Sequence, residues 1–203
     1  MEETWIEGPQ GRLEARWRES SERSSKTLLL CHPHPQFGGT MNDRVLTMCD
    51  GVALKLGFST LRFNFSGVGA SEGNIGGIDA AADDVRQVVV GMLDRNEDEG
   101  WLMGYSFGAA AVLAALGSGA LTQKLRGIVL VAPALALLPS LPALPQGLRV
   151  FVVSGSADQF VSPDSLVGYF GESSVLLIEG ADHFFSGYDE SLTESLHKGL
   201  RGT

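Results

Sequence analysis

The sequence predicts an α/β fold, with a doubly wound, mostly parallel sheet and helices on both faces. Continuous apolar runs, typical of strands covered on both sides, occur at residues 27–31, 127–132 and 148–154. Between such runs, apolar residues recur at helical spacing, as in residues 45–56 and 78–92. Strands that alternate with helices favour a parallel sheet, whose functional residues lie at the carboxyl ends of its strands.

The elements follow one another along the chain. Residues 4–7 and 12–18 flank Gly8-Pro9-Gln10-Gly11 and predict a hairpin at a sheet edge, because apolar and polar residues alternate in its second arm. A polar turn at residues 20–25 comes next. The remaining predicted strands are 27–31, 58–63, 101–105, 127–132, 148–154 and 174–178, and the predicted helices are 45–56, 78–92, 163–170 and 188–200.

The strongest functional signal lies at residues 101–117. There an apolar run stops at Gly104-Tyr105-Ser106-Phe107-Gly108 and continues as an alanine-rich helix. The G-x-S-x-G pattern predicts a sharp strand-to-helix turn, in which a strained Ser106 projects its hydroxyl out of the sheet. The pentapeptide alone also fits an ordinary Gly/Ser turn. The strand before it and the small residues after it favour a nucleophile elbow.

A serine nucleophile needs a base to take its proton, and the base needs an acid to orient it. The histidines stand at positions 32, 34, 183 and 197. His183 lies in the loop after the last predicted strand and is the predicted base, whereas His197 lies in the terminal helix and is expected at the surface.

A long segment without Asp or Glu narrows the choice of the catalytic acid. No Asp or Glu occurs from Thr122 to Ala157, and Asp158 directly follows the predicted strand 148–154. Asp182 is the rival, but a residue adjacent to His183 in a loop rarely presents its side chain to that neighbour and more often forms a turn. The sequence therefore predicts Ser106, Asp158 and His183 as the catalytic residues, in the chain order of a hydrolase triad.

Acyl transfer also needs N–H donors for an oxyanion. The Phe107 N–H is one candidate, since it follows Ser106 at the positive end of the new helix. The second donor is expected in residues 32–40, after the first buried strand. Proline has no N–H, which leaves three candidates open, His34, Gln36 and Phe37.

Two other motifs could suggest a metal site and a dinucleotide-binding loop, and neither is predicted. His32 and His34 have the spacing of a metal-ligand pair, but no third Cys, His or carboxylate accompanies them nearby, so no metal is predicted. Residues 62–73 carry a glycine-rich stretch in which Glu72 occupies the third-glycine place of a dinucleotide loop. We interpret this stretch as a tight loop that flanks the site.

Composition and charge limit the number of domains, the classes of partner and the cellular location to be expected. The 203 residues, 44% of them hydrophobic, suit a single domain spanning residues 1–203. The net charge of −9, without a basic stripe, argues against nucleic-acid and anionic-membrane partners. Cys31 and Cys49 lie in apolar stretches and are expected to be buried thiols. With no signal peptide or run of roughly 20 apolar residues, a cytoplasmic location is expected.

Motifs in this order resemble those of the small, lid-poor bacterial serine α/β-hydrolases, near the dienelactone-hydrolase-like and carboxylesterase group. They are HPHP at 32–35, RFNFSGVGASEG at 62–73, GYSFGA at 104–109, SGSADQFV at 154–161 and GADHFF at 180–185. The resemblance implies eight strands with the second antiparallel, and the same triad of Ser106, Asp158 and His183. It also implies an oxyanion loop at residues 32–37. Dienelactone hydrolases themselves use a cysteine nucleophile, where this chain has a serine.

The residues and the resemblance together predict a cofactor-free serine esterase for small-molecule esters. A thioesterase or small-peptide hydrolase, and a non-catalytic interaction protein with the same fold, are the alternatives. Residues 133–147 are too few for a lid of several helices. Three prolines in 134–145 predict an apolar flap or a short irregular helix near the mouth of the site, with an ordinary packed loop as the alternative. The pocket mouth is expected to present phenylalanines, with two of them, Phe160 and Phe184, as substrate contacts. The full set is Phe37, Phe107, Phe160 and Phe184.

Overall fold

The computed structural model describes residues 2–21, 26–95, 99–117, 119, 121 and 125–201. Its strands are β1 Glu2–Gly8, β2 Gly11–Arg18, β3 Lys26–Cys31, β4 Ser59–Phe63, β5 Glu99–Tyr105, β6 Leu125–Val131, β7 Arg149–Gly155 and β8 Val175–Ile178. Its helices are α1 Arg44–Lys55, α2 Ile78–Arg95, α3 Phe107–Leu116, α4 Pro163–Phe170 and α5 Asp189–Arg201. Short 3-10 turns span Pro35–Phe37, Leu135–Leu137 and Glu172–Ser174.

All of these strands belong to one sheet, in the order β1-β2-β4-β3-β5-β6-β7-β8. The hairpin strands β1 and β2 pair antiparallel, and β2 pairs antiparallel with β4. Every other neighbouring pair is parallel. The predicted mostly parallel sheet, with its second strand antiparallel, is confirmed.

The apolar runs are continuous because both faces of the sheet are covered. Leu29 and Cys31 of β3 face the core beneath α2 and α3. Leu28 and Leu30 of the same strand face the other core, beneath α1 and α5. Successive side chains of a strand point to opposite faces, so a strand between two helical layers is apolar at every position.

The predicted elements match the observed ones closely, with small shifts at their ends. Ser174 closes a 3-10 turn, so β8 begins one residue later than predicted. The helix predicted over 78–92 continues to Arg95, because Leu93 still packs against the core. The predicted polar turn falls largely on residues 22–25, which lie outside the described residues.

Residues 133–147 form a packed loop. They contain a single turn of 3-10 helix, Leu135–Leu137, and several of their leucines pack against the core. The Tyr169 hydroxyl of α4 donates a hydrogen bond of 2.6 Å to the carbonyl oxygen of Pro142. This contact ties the segment to the body of the protein. Among the described residues, no helix has the length and apolar character needed to cross a membrane.

Candidate active site

Ser106 lies at the junction of β5 and α3 in an unusual backbone conformation. Its φ is 53° and its ψ is −111°, a combination that costs a non-glycine residue free energy. The surroundings hold it there: its N–H donates to the carbonyl oxygen of Val131 at 2.9 Å, and its own carbonyl accepts from the N–H of Ala109 at 3.1 Å. The predicted sharp turn is therefore present.

Two glycines make this turn possible. A Cβ atom on Gly104 would lie 2.5 Å from the backbone of Ala109, and one on Gly108 would lie 2.3 Å from the carbonyl oxygen of Cys31. Both distances are shorter than any normal carbon contact. The absent side chains let α3 begin directly against the ends of β3 and β5.

The predicted base and acid meet the serine at the same edge of the sheet. The Nε2 atom of His183 lies 2.9 Å from the Oγ of Ser106. On the other side of the ring, Nδ1 lies 2.8 Å from Oδ2 of Asp158. An Nδ1–H that donates to the carboxylate leaves Nε2 free to accept the serine proton.

Burial and two backbone N–H donors hold the carboxylate of Asp158 in one orientation. The Asp158 side chain is fully buried and that of His183 is 7% exposed. The other carboxylate oxygen of Asp158 accepts from the N–H groups of Phe160 at 2.8 Å and Val161 at 3.0 Å. A carboxylate held in this way keeps one orientation toward the imidazole.

The rival acid has another role. The Asp182 carboxylate accepts from the N–H groups of Phe184 at 3.0 Å and Ser186 at 3.1 Å. These are bonds of a turn-forming residue, and they shape the loop that carries His183. Among the described residues, the structure joins Asp158 to the imidazole of His183 and not Asp182. His197, which was expected at the surface, is half-buried on α5.

The N–H groups predicted for the oxyanion differ in their availability. The Gln36 N–H donates to Nδ1 of His34 at 3.2 Å, and the Phe37 N–H donates to the carbonyl oxygen of His34 at 3.1 Å. Within the described part of the chain, the N–H groups of His34 and Phe107 make no such bond. The rings of these two residues lie 4.7 Å apart, centroid to centroid.

His32 serves as an internal connector. Its ring is completely buried, with Nδ1 2.7 Å from the carbonyl oxygen of Pro33 and Nε2 accepting from the Phe65 N–H at 3.1 Å. Burial lowers its pKa to about 4, so the ring is neutral near pH 7. Both ring nitrogens are engaged within the protein. The described residues contain no cluster of three or more His, Cys, Asp or Glu side chains suited to a metal ion.

Aromatic rings surround the imidazole of His183. The rings of Phe160 and Phe184 lie 5.0 and 5.4 Å from it, centroid to centroid, and are 63% and 53% exposed. Phe37 is 87% exposed. The prediction that Phe107 adds apolar surface at the mouth is wrong, because its ring packs against Phe65 and the residue is 3% exposed.

Sequence reasoning missed two residues that hold the loop of His183. The Tyr105 hydroxyl donates to the carbonyl oxygen of His183 at 3.1 Å. Arg44, at the start of α1, donates to the carbonyl oxygens of Phe184 at 2.5 Å and Phe185 at 3.3 Å. For Tyr105 the only signal was a hydroxyl on the residue before Ser106, which indicates a hydrogen bond but not its acceptor. For Arg44 none existed, because its partners are 140 positions away in the chain.

Solved structures similar to this chain share the architecture over nearly its whole length. An α/β serine hydrolase homologue from Coxiella burnetii is 32% identical with a TM-score of 0.83, and the match covers 98% of this chain and 97% of that one. An α/β serine hydrolase without lid from Xanthomonas campestris is 29% identical with a TM-score of 0.86, covering 98% and 93%. Fold and similarity together define the class: the chain is an α/β serine hydrolase, and the residues that the structure describes form no substantial lid.

The particular family follows from the sequence. Residues 51–153 match the Hydrolase_4 family, described as serine aminopeptidase, S33, and the chain belongs to it. An uncharacterized protein of Rickettsia prowazekii is 24% identical over 213 residues, covering 97% of this chain and 87% of that protein.

Proposed function

We propose that this chain hydrolyses small carboxylic esters through an acyl-enzyme, with Ser106 as nucleophile, His183 as general base and Asp158 as its orienting acid. The observation that carries the proposal is the line of hydrogen bonds from Ser106 Oγ to His183 at 2.9 Å and from His183 to Asp158 at 2.8 Å. A serine at a strained turn, a base within reach and a buried acid are the parts that nucleophilic catalysis requires.

In the acylation step, the Oγ of Ser106 attacks the ester carbonyl carbon while Nε2 of His183 takes the hydroxyl proton. The carbonyl oxygen becomes an oxyanion, which the N–H groups of Phe107 and His34 are proposed to stabilise. The C–O bond to the alcohol then breaks, and the imidazolium returns its proton to the leaving alcohol. Asp158 stabilises the imidazolium throughout.

In the second step, water attacks the acyl-enzyme. His183 takes a proton from the water as the new C–O bond forms. The imidazolium then gives that proton to Oγ of Ser106 as the bond between Oγ and the acyl carbon breaks, which releases the carboxylic acid. The serine proton that leaves with the alcohol in the first step is replaced by a proton from water in the second, so Ser106 and His183 end the cycle as they began it. The reaction as proposed therefore requires no cofactor or metal.

The exposed site favours short substrates. Phe160 and Phe184 are proposed to contact the substrate, because their rings border His183 while more than half of each residue is exposed. Segment 133–147 is packed onto the protein body, so it adds little further cover. A shallow pocket buries few methylene groups, each contributing about 0.8 kcal/mol.

The family description favours one second candidate, hydrolysis of an N-terminal peptide bond. Such a reaction, and thioester hydrolysis, would use the same triad and differ in the groups that contact the substrate. A non-catalytic interaction protein is disfavoured by the aligned triad, since nothing about partner binding requires a serine held in a strained conformation. The expected partner is a small-molecule ester.

A panel of p-nitrophenyl esters, acyl thioesters and aminoacyl p-nitroanilides separates these candidates. We expect the highest kcat/KM on the esters. Ser106→Ala and His183→Ala should each lower kcat by about 10⁴-fold, and the double variant should be little worse because the two residues act as one unit. Preference for the anilides would replace the esterase by an aminopeptidase. Additive losses would contradict the triad.

A further inference from the structure

Tyr105 links the nucleophile turn to the base. It is the last residue of β5 and directly precedes Ser106. The residue is 3% exposed, and its hydroxyl donates a buried hydrogen bond of 3.1 Å to the main-chain carbonyl oxygen of His183. The two rings are stacked, with centroids 5.8 Å apart and planes inclined by 30°. Tyr105 therefore contacts both the backbone and the ring of the proposed base.

The loop that carries His183 needs such support. It follows β8 through Gly180, and it contains Phe185 at a positive φ of 54°, a conformation that a phenylalanine rarely adopts. Arg44 and the Asp182 carboxylate hold the residues after His183. Tyr105 holds His183 itself.

The hydrogen bond from the Tyr105 hydroxyl to the His183 carbonyl oxygen persists over the working pH range. Burial raises the pKa of the Tyr105 phenol well above its ordinary value, so the hydroxyl keeps its proton and remains a donor. A carbonyl oxygen buried without a donor would cost free energy. Because Tyr105 and Ser106 are consecutive, a movement of the turn moves the donor together with the nucleophile.

We propose that Tyr105 is a positioning residue, which keeps the imidazole of His183 at the distance from Ser106 that proton transfer requires. This inference rests on the proposed function, since it assigns a role within the Ser106–His183 pair. Tyr105 itself touches no reacting atom. Removing its hydroxyl should let the histidine loop move and lengthen the contact between base and nucleophile.

The test compares Tyr105→Phe with a matched control, Tyr169→Phe. Each change deletes one phenol oxygen that donates to a main-chain carbonyl, His183 in the first case and Pro142 in the second. Both variants should unfold a few degrees below the wild type. On p-nitrophenyl acetate, Tyr105→Phe should lower kcat about tenfold and leave KM within about twofold, since it disturbs alignment and not binding. Tyr169→Phe should keep the kcat of the wild type.

A second readout does not depend on turnover. The imidazole proton between His183 and Asp158 should give a low-field proton NMR resonance, which we expect to broaden through solvent exchange in Tyr105→Phe and to persist in Tyr169→Phe. Unchanged kcat in Tyr105→Phe, or equal losses of kcat in the two variants, would overturn the positioning role. If the wild type hydrolyses no ester, the proposed function fails. The resonance comparison then decides the positioning role alone.

Discussion

The proposed acid of the triad, Asp158, and its rival, Asp182, differ in the groups that their carboxylates contact. Asp158 faces Nδ1 of His183 and accepts two backbone N–H groups with its other oxygen. Asp182, adjacent to the base in sequence, turns its carboxylate to Phe184 and Ser186. The two aspartates thus offer a direct test of which one supports the base.

Asp158→Asn should lower kcat by about 10³-fold or more, because an amide cannot both fix the Nδ1–H tautomer and stabilise an imidazolium. Asp182→Asn should lower kcat less than about tenfold, since an amide oxygen can still accept the two loop N–H groups. Steady-state kinetics on one ester measures both. The opposite ranking of the two variants would assign the acid to Asp182.

His32 makes stability sensitive to acid. Its pKa is about 4 in the folded protein, against 6.5 for an unperturbed histidine, so below pH 6.5 the unfolded chain binds a proton that the folded protein refuses. The contribution to stability is complete above pH 6.5 and is lost as the pH falls toward 4. Between pH 7 and pH 5 the loss should be about 2 kcal/mol.

Urea unfolding of the wild type, His32→Asn and His197→Asn at both pH values checks this effect. Burial raises the pKa of Asp43 and Asp84, which opposes the effect of His32, so the readout is the difference between proteins and not the wild-type slope. His32→Asn should lose less stability on acidification, whereas His197→Asn should behave as the wild type does. Equal losses in all three proteins would show that His32 is not the cause.

At the scale of the elements, the site depends on how closely α3 approaches β3. The helix is rich in alanine, and Ala109, Ala110 and Ala111 are fully buried between neighbouring layers. Gly108 lies against the carbonyl oxygen of Cys31, with no room for a methyl group. In contrast, Gly51 lies within α1 and has open space around it.

These two glycines predict opposite effects of the same change. Gly108→Ala should destabilise the protein by about 1–3 kcal/mol and lower kcat, because the added methyl group pushes α3 and Ser106 away from the sheet. Gly51→Ala should stabilise it by about 1 kcal/mol, as expected inside a helix. Denaturant unfolding with parallel kinetics tests the pair. Wild-type stability in Gly108→Ala would show that the helix is not in tight contact.

Sequence periodicity predicted most elements to within a few residues. The continuous apolar runs mark strands that are covered on both faces, and the apolar stripes at helical spacing mark the helices that cover them. The proximity of Ser106, Asp158 and His183 could be predicted, because each lies at or shortly after the carboxyl end of a predicted strand. The supporting contacts of Arg44 and Tyr105 were not, because they join segments far apart in sequence. The burial of Phe107 also escaped prediction, since the direction of a side chain at a helix start depends on tertiary packing against Phe65.

For the whole molecule, the absence of a lid in this class bears on substrate size. Residues 133–147 are the segment that could cover the site. A hydrogen bond from the Tyr169 hydroxyl to the carbonyl oxygen of Pro142 holds this segment against α4. Phe160 and Phe184 stay largely exposed. Selectivity for acyl chains should therefore stop improving once the few accessible methylene positions are filled.

A series of p-nitrophenyl esters, measured below and above their solubility limits, examines this expectation. We expect the highest kcat/KM for acyl groups of about two to six carbons, and no activation when droplets or micelles appear. A steady rise toward long chains, or a jump in rate at the interface, would mean that residues 133–147 open and close as a mobile lid.

The central claim, that Ser106 carries the acyl group during turnover, is tested most directly by trapping that group. The protein is mixed with excess p-nitrophenyl acetate, quenched in acid within the first turnover, digested and analysed by mass spectrometry. The account predicts one acetyl group, on the peptide that contains Ser106, together with a burst of p-nitrophenol equal to the enzyme concentration. The Ser106→Ala variant should show neither. Ester hydrolysis that persists in Ser106→Ala, or an acetyl group carried in turnover by another residue, would contradict it.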